Sequence, residues 1–428
     1  MEQAKDFVIS RLGDCTMPSP MSGVRFTRDE EHILYHKDLS EIRRYLDTGS
    51  EPPRFEAAGP REKIFFDPSK LACGIVTCGG LCPGLNDVIR SIVLSLYHHY
   101  GVRTVYGFQY GYEGLEPKFG HTPIMLTPRI VSHINEMGGT MLGSSRGNQD
   151  VAVMVDTLTR LKIGILFCIG GDGTQRGALA ISEEAGRRSL KLSVIGIPKT
   201  IDNDISYVQK TFGFETAVSE AKKATYAAHA EAAGARNGIG LVKLMGRDSG
   251  FISAFSVLVD NQVNFCLIPE VPFTLEGFLA ALKQRLDERG HAVIVVAEGA
   301  GQELFEATGE RDASGNIKYG DIGILLRDSI KAYFKETGID INLKYIDPSY
   351  MIRSQPANPH DSALCLVMGH NAVHAGMAGR TGMIVGFWNH QFTHVPIPLA
   401  VSARKKIDPV GGIWSSVLAS TGQPAVMR

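Results

Sequence analysis

Three observations predict an α/β protein with parallel-rich sheets arranged in two domains. Short apolar runs recur along the chain, and each ends in a glycine-rich or polar turn before a stretch with helical spacing. The 47 glycines exceed average use, and many fall directly after those runs. At 428 residues the chain outgrows a single hydrophobic core. A composition of 44% hydrophobic and 21% charged residues is that of a soluble globular protein. With a net charge of −1 there is no global field toward nucleic acid or an anionic membrane, so local groups must hold any anionic ligand.

The residues before Phe65 read as an extension. They carry Pro18, Pro20, Pro52, Pro53 and Pro60 and one helix over 38–46. From there the alternation begins. A strand at 71–77 runs into CGGLCPGLN, and Asn86 is the expected N-cap of a helix carrying Val88, Ile89, Ile92, Val93 and Leu96. A strand at 103–108, a helix at 128–137, the turn GGTMLGSSRGNQD and a helix at 151–161 follow. Further strands are expected at 163–167, 193–197, 239–244, 265–268, 292–297 and 383–387, with helices at 217–233 and 362–375. Residues 301–319 read as a surface loop. The seven cysteines are odd in number and scattered, the N-terminus lacks a signal-like apolar stretch, and no run is long enough to span a bilayer. Unpaired thiols in a reducing cytoplasm are the expectation.

The stretch Gly170-Gly171-Asp172-Gly173-Thr174 organises the chain. Its glycines admit a ligand to the backbone, and the helix that follows offers N–H groups and a positive dipole end to phosphate. Asp172 offers a carboxylate to a cation. Thr77 to Gly84 forms a similar loop, which matches neither the dinucleotide fingerprint nor a Walker A loop. Ser144-Ser145-Arg146-Gly147 places a guanidinium in a turn; alone, a solvated arginine explains it equally. Lys199-Thr200-Ile201-Asp202-Asn203-Asp204 is the most chemically loaded stretch, with two carboxylates, a hydroxyl and an ammonium after a buried strand. Met245-Gly246-Arg247, Glu298-Gly299 and Tyr350-Met351-Ile352-Arg353 close later segments with groups suited to an anion or a sugar hydroxyl. His370 and His374 have the spacing of helical metal ligands, but amphipathic packing accounts for them; His98 and His99 read as surface residues. Cys73, Cys78 and Cys82 fit no zinc spacing.

Taken in order, GGDGT, PKTIDND, MGRDSG, PEVPF, the EG pair and YMIR resemble the 6-phosphofructokinases. The resemblance runs from about Phe65 to the C-terminus. It is strongest to the plant and trypanosome ATP-dependent subfamily, itself related to the pyrophosphate-dependent enzymes. It implies two Rossmann-like domains with the active site in the cleft between them, divided as 66–213 with 352–399 and 214–351 with 400–428. It further implies phosphoryl transfer to the 1-hydroxyl of fructose 6-phosphate, with ATP as donor and Mg²⁺ as cofactor. Asp202 falls at the position of the catalytic base, Thr200 would steady the transferred group, and Arg247 completes the catalytic set. Gly80, Arg146, Gly147, Gly171, Asp172, Gly173, Thr174 and Lys199 match the ATP side, Asp172 as the metal ligand. Thr200, Ile201, Asp202, Met245, Gly246, Arg247, Glu298, Lys344, Tyr350, Met351, Ile352 and Arg353 match the sugar-phosphate side. Family members are homo-oligomers, so a homodimer or homotetramer is expected.

Gly173 and Lys199 bear on the donor. Pyrophosphate enzymes of the family carry Asp at the place of Gly173, where a carboxylate would crowd and repel the α-phosphate of a nucleotide. Lys199 pulls the other way, because the pyrophosphate enzymes share it. Steric and like-charge exclusion forbids ATP whereas a nearby lysine does not, so ATP is the expectation. A pyrophosphate-dependent enzyme and a non-catalytic subunit on the same fold are the alternatives. Arg90 suits an effector site or a solvated helix surface equally.

Overall fold

The computed structural model describes residues 4–306, 309–310 and 317–428. The extension supplies β1 (His32–Leu34), α1 (Leu39–Asp47) and β2 (Arg54–Ala57). Next come β3 (Ala72–Thr77), α2 (Leu85–Ser95), β4 (Thr104–Phe108) and β5 (Ile124–Met125). They are followed by α3 (Val151–Arg160), β6 (Ile163–Gly170), α4 (Asp172–Arg187) and β7 (Ser193–Pro198). A second series comprises α5 (Phe214–Ala233), β8 (Gly238–Leu244), α6 (Phe251–Leu258) and β9 (Phe265–Leu267). It continues with α7 (Leu275–Arg289), β10 (His291–Ala297), α8 (Ile322–Glu336), β11 (Asn342–Ile346) and α9 (Ser349–Arg353). Then α10 (Pro359–Met377), β12 (Met383–Trp388), β13 (Gln391–Pro396) and α11 (Gly412–Thr421) close the chain.

Two units emerge. The first holds the residues up to Thr200 with Ile205–Gly213 and Gln355–Ala403. Its nine-stranded sheet has the order β1-β2-β13-β12-β7-β6-β3-β4-β5. The centre, from β12 to β4, is parallel; the strands flanking it on either side pair antiparallel. Strands β3 and β7 are buried along their whole length, which is why they read as unbroken apolar runs rather than alternations. The extension belongs to this unit. An ion network fastens it, in which Arg380 meets Asp29 at 2.6 Å and Glu56 at 2.8 Å while Arg61 meets Glu56 at 2.9 Å. Around it Phe7 packs on Phe55 (4.9 Å between ring centres), and Tyr35 stacks on Trp388 at 5.2 Å.

The second unit holds Ile201–Asp204, Phe214–Ser354 and Arg404–Arg428. Its sheet, β9-β10-β8-β11, is parallel throughout. The apolar faces of α7 and α8 cover one side through Phe278, Leu282, Ile322, Leu326, Ile330 and Phe334.

Several local expectations need correction. Residues 128–137 form turns and a short 3-10 helix, Ile134–Glu136, not an α-helix. Only Val131 and Ile134 are buried there, a three-residue spacing that a tight turn satisfies. Asn86 lies inside α2, whose N-cap is Gly84; its side chain instead donates to the Met137 carbonyl and accepts from the Met141 N–H. His99 is half-buried, bonded to Ser95 and facing the rings of His370 and His374. The loop expected at 301–319 lies partly outside the described residues.

Candidate active site

The donor-side candidates gather in the first unit at the carboxyl ends of β3, β6 and β7, where an open α/β sheet binds its ligands. Gly171 caps α4, placing Asp172 and Gly173 in its first turn, at the positive end of the helix dipole. Gly173 is exposed, and a Cβ built there meets nothing within 4 Å. Thr174 is buried, its carbonyl accepting from the Tyr112 hydroxyl at 2.7 Å. Gln175 sends its amide N–H groups to the carbonyls of Cys168, Gly170 and Ile197, tying the ends of β6 and β7 together. The Lys199 ammonium donates to the Gly80 carbonyl at 2.5 Å, so the first glycine loop and the end of β7 meet. Ser145 accepts at its carbonyl from the Gly79 N–H, and Ser144 donates to the Gly79 carbonyl, which seats the turn carrying Arg146 and Gly147 on the same loop. Arg146 and Gly147 themselves are exposed. The Thr200 carbonyl accepts from the Thr211 hydroxyl at 2.7 Å.

The acceptor-side candidates gather in the second unit. Asp202 keeps some residue exposure, yet its carboxyl is enclosed by protein and receives the backbone N–H of Arg247. Burial, then the charges of Asp204 and Glu298, push that carboxyl well above the ordinary range; Arg404 and the Arg247 N–H oppose them. Glu298 is raised too, by burial, against the pull of Arg247, Lys243 and Arg353. The turns carrying these groups pack backbone on backbone: Gly246 has φ +123°, and the Gly299 N–H donates to its carbonyl at 3.0 Å. A Cβ at Gly299 would meet the Arg247 carbonyl at 1.8 Å, so only glycine closes that approach. The Arg247 guanidinium lies 4.2 Å from the Tyr319 ring centre and donates to the Ile317 carbonyl. Met245 and Ile201 are buried beside these turns, and Ile352 is buried in α9. Tyr350 and Met351 are exposed, and Arg353 lies over the Tyr350 ring at 4.6 Å.

Lys344 stands apart, exposed in the middle of edge strand β11 opposite Gly240 rather than at the carboxyl end of the sheet. At that end Lys243 bonds Asp321 at 3.0 Å and Asp347 at 2.9 Å. Burial acts to lower its pKa, but those two carboxylates outweigh it and raise the ammonium above its usual range. Arg90 is half-exposed and donates to the Ser132 carbonyl. Among the described residues no group of three or more His, Cys, Asp or Glu is placed to cage a metal ion. A single carboxylate, Asp172, bonded to Arg176 at 3.0 Å, is the hard oxygen donor at the α4 turn. That donor set fits Mg²⁺, which typically takes one or two carboxylates and fills the rest of its shell with phosphate and water.

The model of the phosphofructokinase family matches residues 72–376. The chain belongs to that family. An ATP-dependent 6-phosphofructokinase of Borreliella burgdorferi is 51% identical over 437 residues, covering 99% of this chain and 98% of that protein. One of Trypanosoma brucei brucei is 46% identical, covering 96% and 86% of the two chains. A chloroplastic one of Arabidopsis thaliana is 49% identical over 86% of this chain and 68% of its own. Among solved structures, a pyrophosphate-dependent phosphofructokinase of Marinobacter aquaeolei superposes with a TM-score of 0.67 at 18% identity, covering 83% and 92% of the chains. The Pichia pastoris phosphofructokinase in its T-state gives 0.64 at 20% identity, over 82% of this chain and 37% of that one. These two likenesses concern the fold. Kinases of the family require a divalent metal, and among the described residues no helix is long and apolar enough to cross a membrane.

Proposed function

We propose that the chain transfers the γ-phosphoryl group of ATP to the 1-hydroxyl of D-fructose 6-phosphate, with Asp202 as general base. The products are fructose 1,6-bisphosphate and ADP. One observation carries the assignment of the base: the Asp202 carboxyl is enclosed, held by the Arg247 N–H, and made more basic by its neighbours. It takes the proton of the 1-hydroxyl as that oxygen attacks phosphorus. Arg247 and Arg353 bind the sugar phosphate, and Glu298 accepts hydrogen bonds from sugar hydroxyls. Thr200 steadies the transferred group. On the donor side the N–H groups at the start of α4 receive the nucleotide phosphates, and Asp172 holds Mg²⁺. Bound there, the ion neutralises charge on the phosphates. A homodimer or homotetramer working in the cytoplasm belongs to the same proposal.

Asp202→Asn tests the base. The amide keeps the shape and removes the proton acceptor, so kcat should fall by about 10²–10⁴-fold while the KM for fructose 6-phosphate changes little. Near-normal turnover of this variant refutes the assignment. Assaying ATP and pyrophosphate in parallel tests the donor, and a large preference for pyrophosphate overturns that part alone.

A further inference from the structure

The segment after β13 enters the second unit at Arg404 and passes the acceptor-side turns as Arg404-Lys405-Lys406-Ile407. Arg404 Nη1 lies 2.8 Å from Asp204 Oδ2, and the next residue, Lys405, donates its backbone N–H to the Asp204 carbonyl at 2.8 Å. Two positions on, the Ile407 N–H donates to Glu270 Oε1 at 2.9 Å. The same Glu270 carboxylate receives the Gly250 N–H at 3.0 Å, where the turn carrying Arg247 ends and α6 begins. Lys405 Nζ lies 5.3 Å from the ring centre of Phe251, the first residue of α6. Three of four consecutive residues, Arg404, Lys405 and Ile407, thus hold the turn that bears Asp202 and, through Glu270, the turn that bears Arg247.

The charges give this grip a chemical role. The Asp204 side chain is 3% exposed and sits two residues from Asp202, so its negative charge opposes ionisation of the base. Asp202 is faced by Asp204 from its own turn, Glu298 after β10, the Arg247 N–H after β8, and Arg404. The two acids disfavour the anion; Arg404 is the cation acting on Asp202, while Lys405 also faces Asp204 and Arg247, Lys243 and Arg353 face Glu298. We propose that segment 404–407 is a positioning strap for the acceptor turns, and that Arg404 offsets part of the charge of Asp204 and so eases ionisation of Asp202. This rests on Asp202 being the general base; Arg404 acts through Asp204 and Asp202 and is a positioning residue.

The test is the pH dependence of kcat in the full chain for Arg404→Met, Arg404→Lys, Asp204→Asn and the Arg404→Met/Asp204→Asn double variant, with a thermal melt of each. For Arg404→Met the acid limb should move up by about one pH unit, a loss of about tenfold on that limb, while the KM for fructose 6-phosphate changes by less than about threefold. The lysine variant should keep the limb near its original place. The double variant should return it toward that place, because the like charge leaves with the arginine. If Arg404→Met fails to fold, Asp204→Asn alone decides: its limb should move down. An equal loss at every pH for both Met and Lys makes Arg404 scaffold only and overturns the proposal. A raised KM with an unmoved limb makes Arg404 a substrate ligand and overturns it as well. Near-normal turnover of Asp202→Asn removes the base itself, an outcome read independently of the Arg404 variants.

Discussion

Gly173→Asp isolates one group's effect on donor choice. The substitution has room, since a Cβ at this position meets nothing within 4 Å and the residue is exposed. It also suits its helix. Aspartate has a better helix propensity than glycine and gains about 0.3–1 kcal/mol from the positive end of the helix dipole in the first turn of α4. The neighbouring Asp172 carboxylate takes back part of that gain, so the melting temperature should hold or rise slightly. The effect on ATP is different in kind. A carboxylate at about 5 Å from a nucleotide phosphate, at an effective dielectric of about 20, repels it by about 3 kcal/mol, or about a hundredfold in binding.

Steady-state kcat/KM for ATP, with fructose 6-phosphate saturating, should therefore fall by about 10²-fold in Gly173→Asp. Gly173→Ala is the control for bulk and backbone. With nothing for its methyl to meet, it should stay within about threefold of the parent, near the scatter of a surface change. Pyrophosphate carries no nucleoside-linked phosphate, so any turnover with it should be spared. The reasoning fails if Gly173→Asp keeps its ATP activity while melting normally, because the glycine then has nothing to do with nucleotide exclusion. It fails equally if alanine falls as far as aspartate, because the charge is then irrelevant.

Two predictions concern stability. His374 is buried against the Tyr100 hydroxyl at 2.8 Å; burial, then the neighbouring His99, lower its pKa to about 3. The folded protein thus binds fewer protons than the unfolded chain between about pH 6.5 and 3, and stability falls as the pH drops through that window. At pH 5 this histidine alone costs about 2 kcal/mol, so His374→Gln should narrow the gap between melting temperatures at pH 7 and pH 5. Arg380 is only 1% exposed and bridges Asp29 and Glu56. Arg380→Met leaves the buried Glu56, and the exposed Asp29, short of a cation and should cost about 3 kcal/mol in denaturant unfolding, from the buried partner. Cleavage of the extension by added protease should speed up in parallel; a loss below about 1 kcal/mol would mean that Arg61 suffices, since that is the scale of an exposed pair.

What the sequence made legible is what is local. The buried strands β3, β6 and β7 announce themselves as apolar runs, and each ends in a turn whose glycines and polar groups lie at the sheet's carboxyl edge. Asp202 and Arg247 stood out because their neighbours along the chain were chemically loaded too. Arg404 lies 200 positions from Asp204 and sits in a stretch, RKKID, that reads as surface charge. Lys243 is a single lysine in an apolar strand, and its partners Asp321 and Asp347 come from two other segments. Lys344, named from the resemblance alone, is exposed in mid-strand. Helix α7 did carry a readable signal in the spacing of Phe278, Leu282 and Leu286, whereas the short edge strand β11 offered only five residues of mixed exposure.

In the proposed donor loop a missing side chain would act as a specificity element. Discrimination by absence requires a loop that stays in place; a loop free to shift would swing an introduced carboxylate away from the nucleotide. Here the loop is held from below. The Gln175 amide bonds three carbonyls across the ends of β6 and β7, Tyr112 holds the Thr174 carbonyl, and the Lys199 N–H holds that of Gly170 at 3.0 Å. None of these bonds uses a group at position 173, which leaves that position exposed on a fixed backbone. Its chemistry can therefore change without disturbing the fold, and the Coulomb cost of a carboxylate there falls on the ligand rather than on the protein. Donor preference and stability should thus vary independently at this site, so a melting temperature that tracks ATP activity across substitutions at position 173 would show that the loop yields instead of excluding.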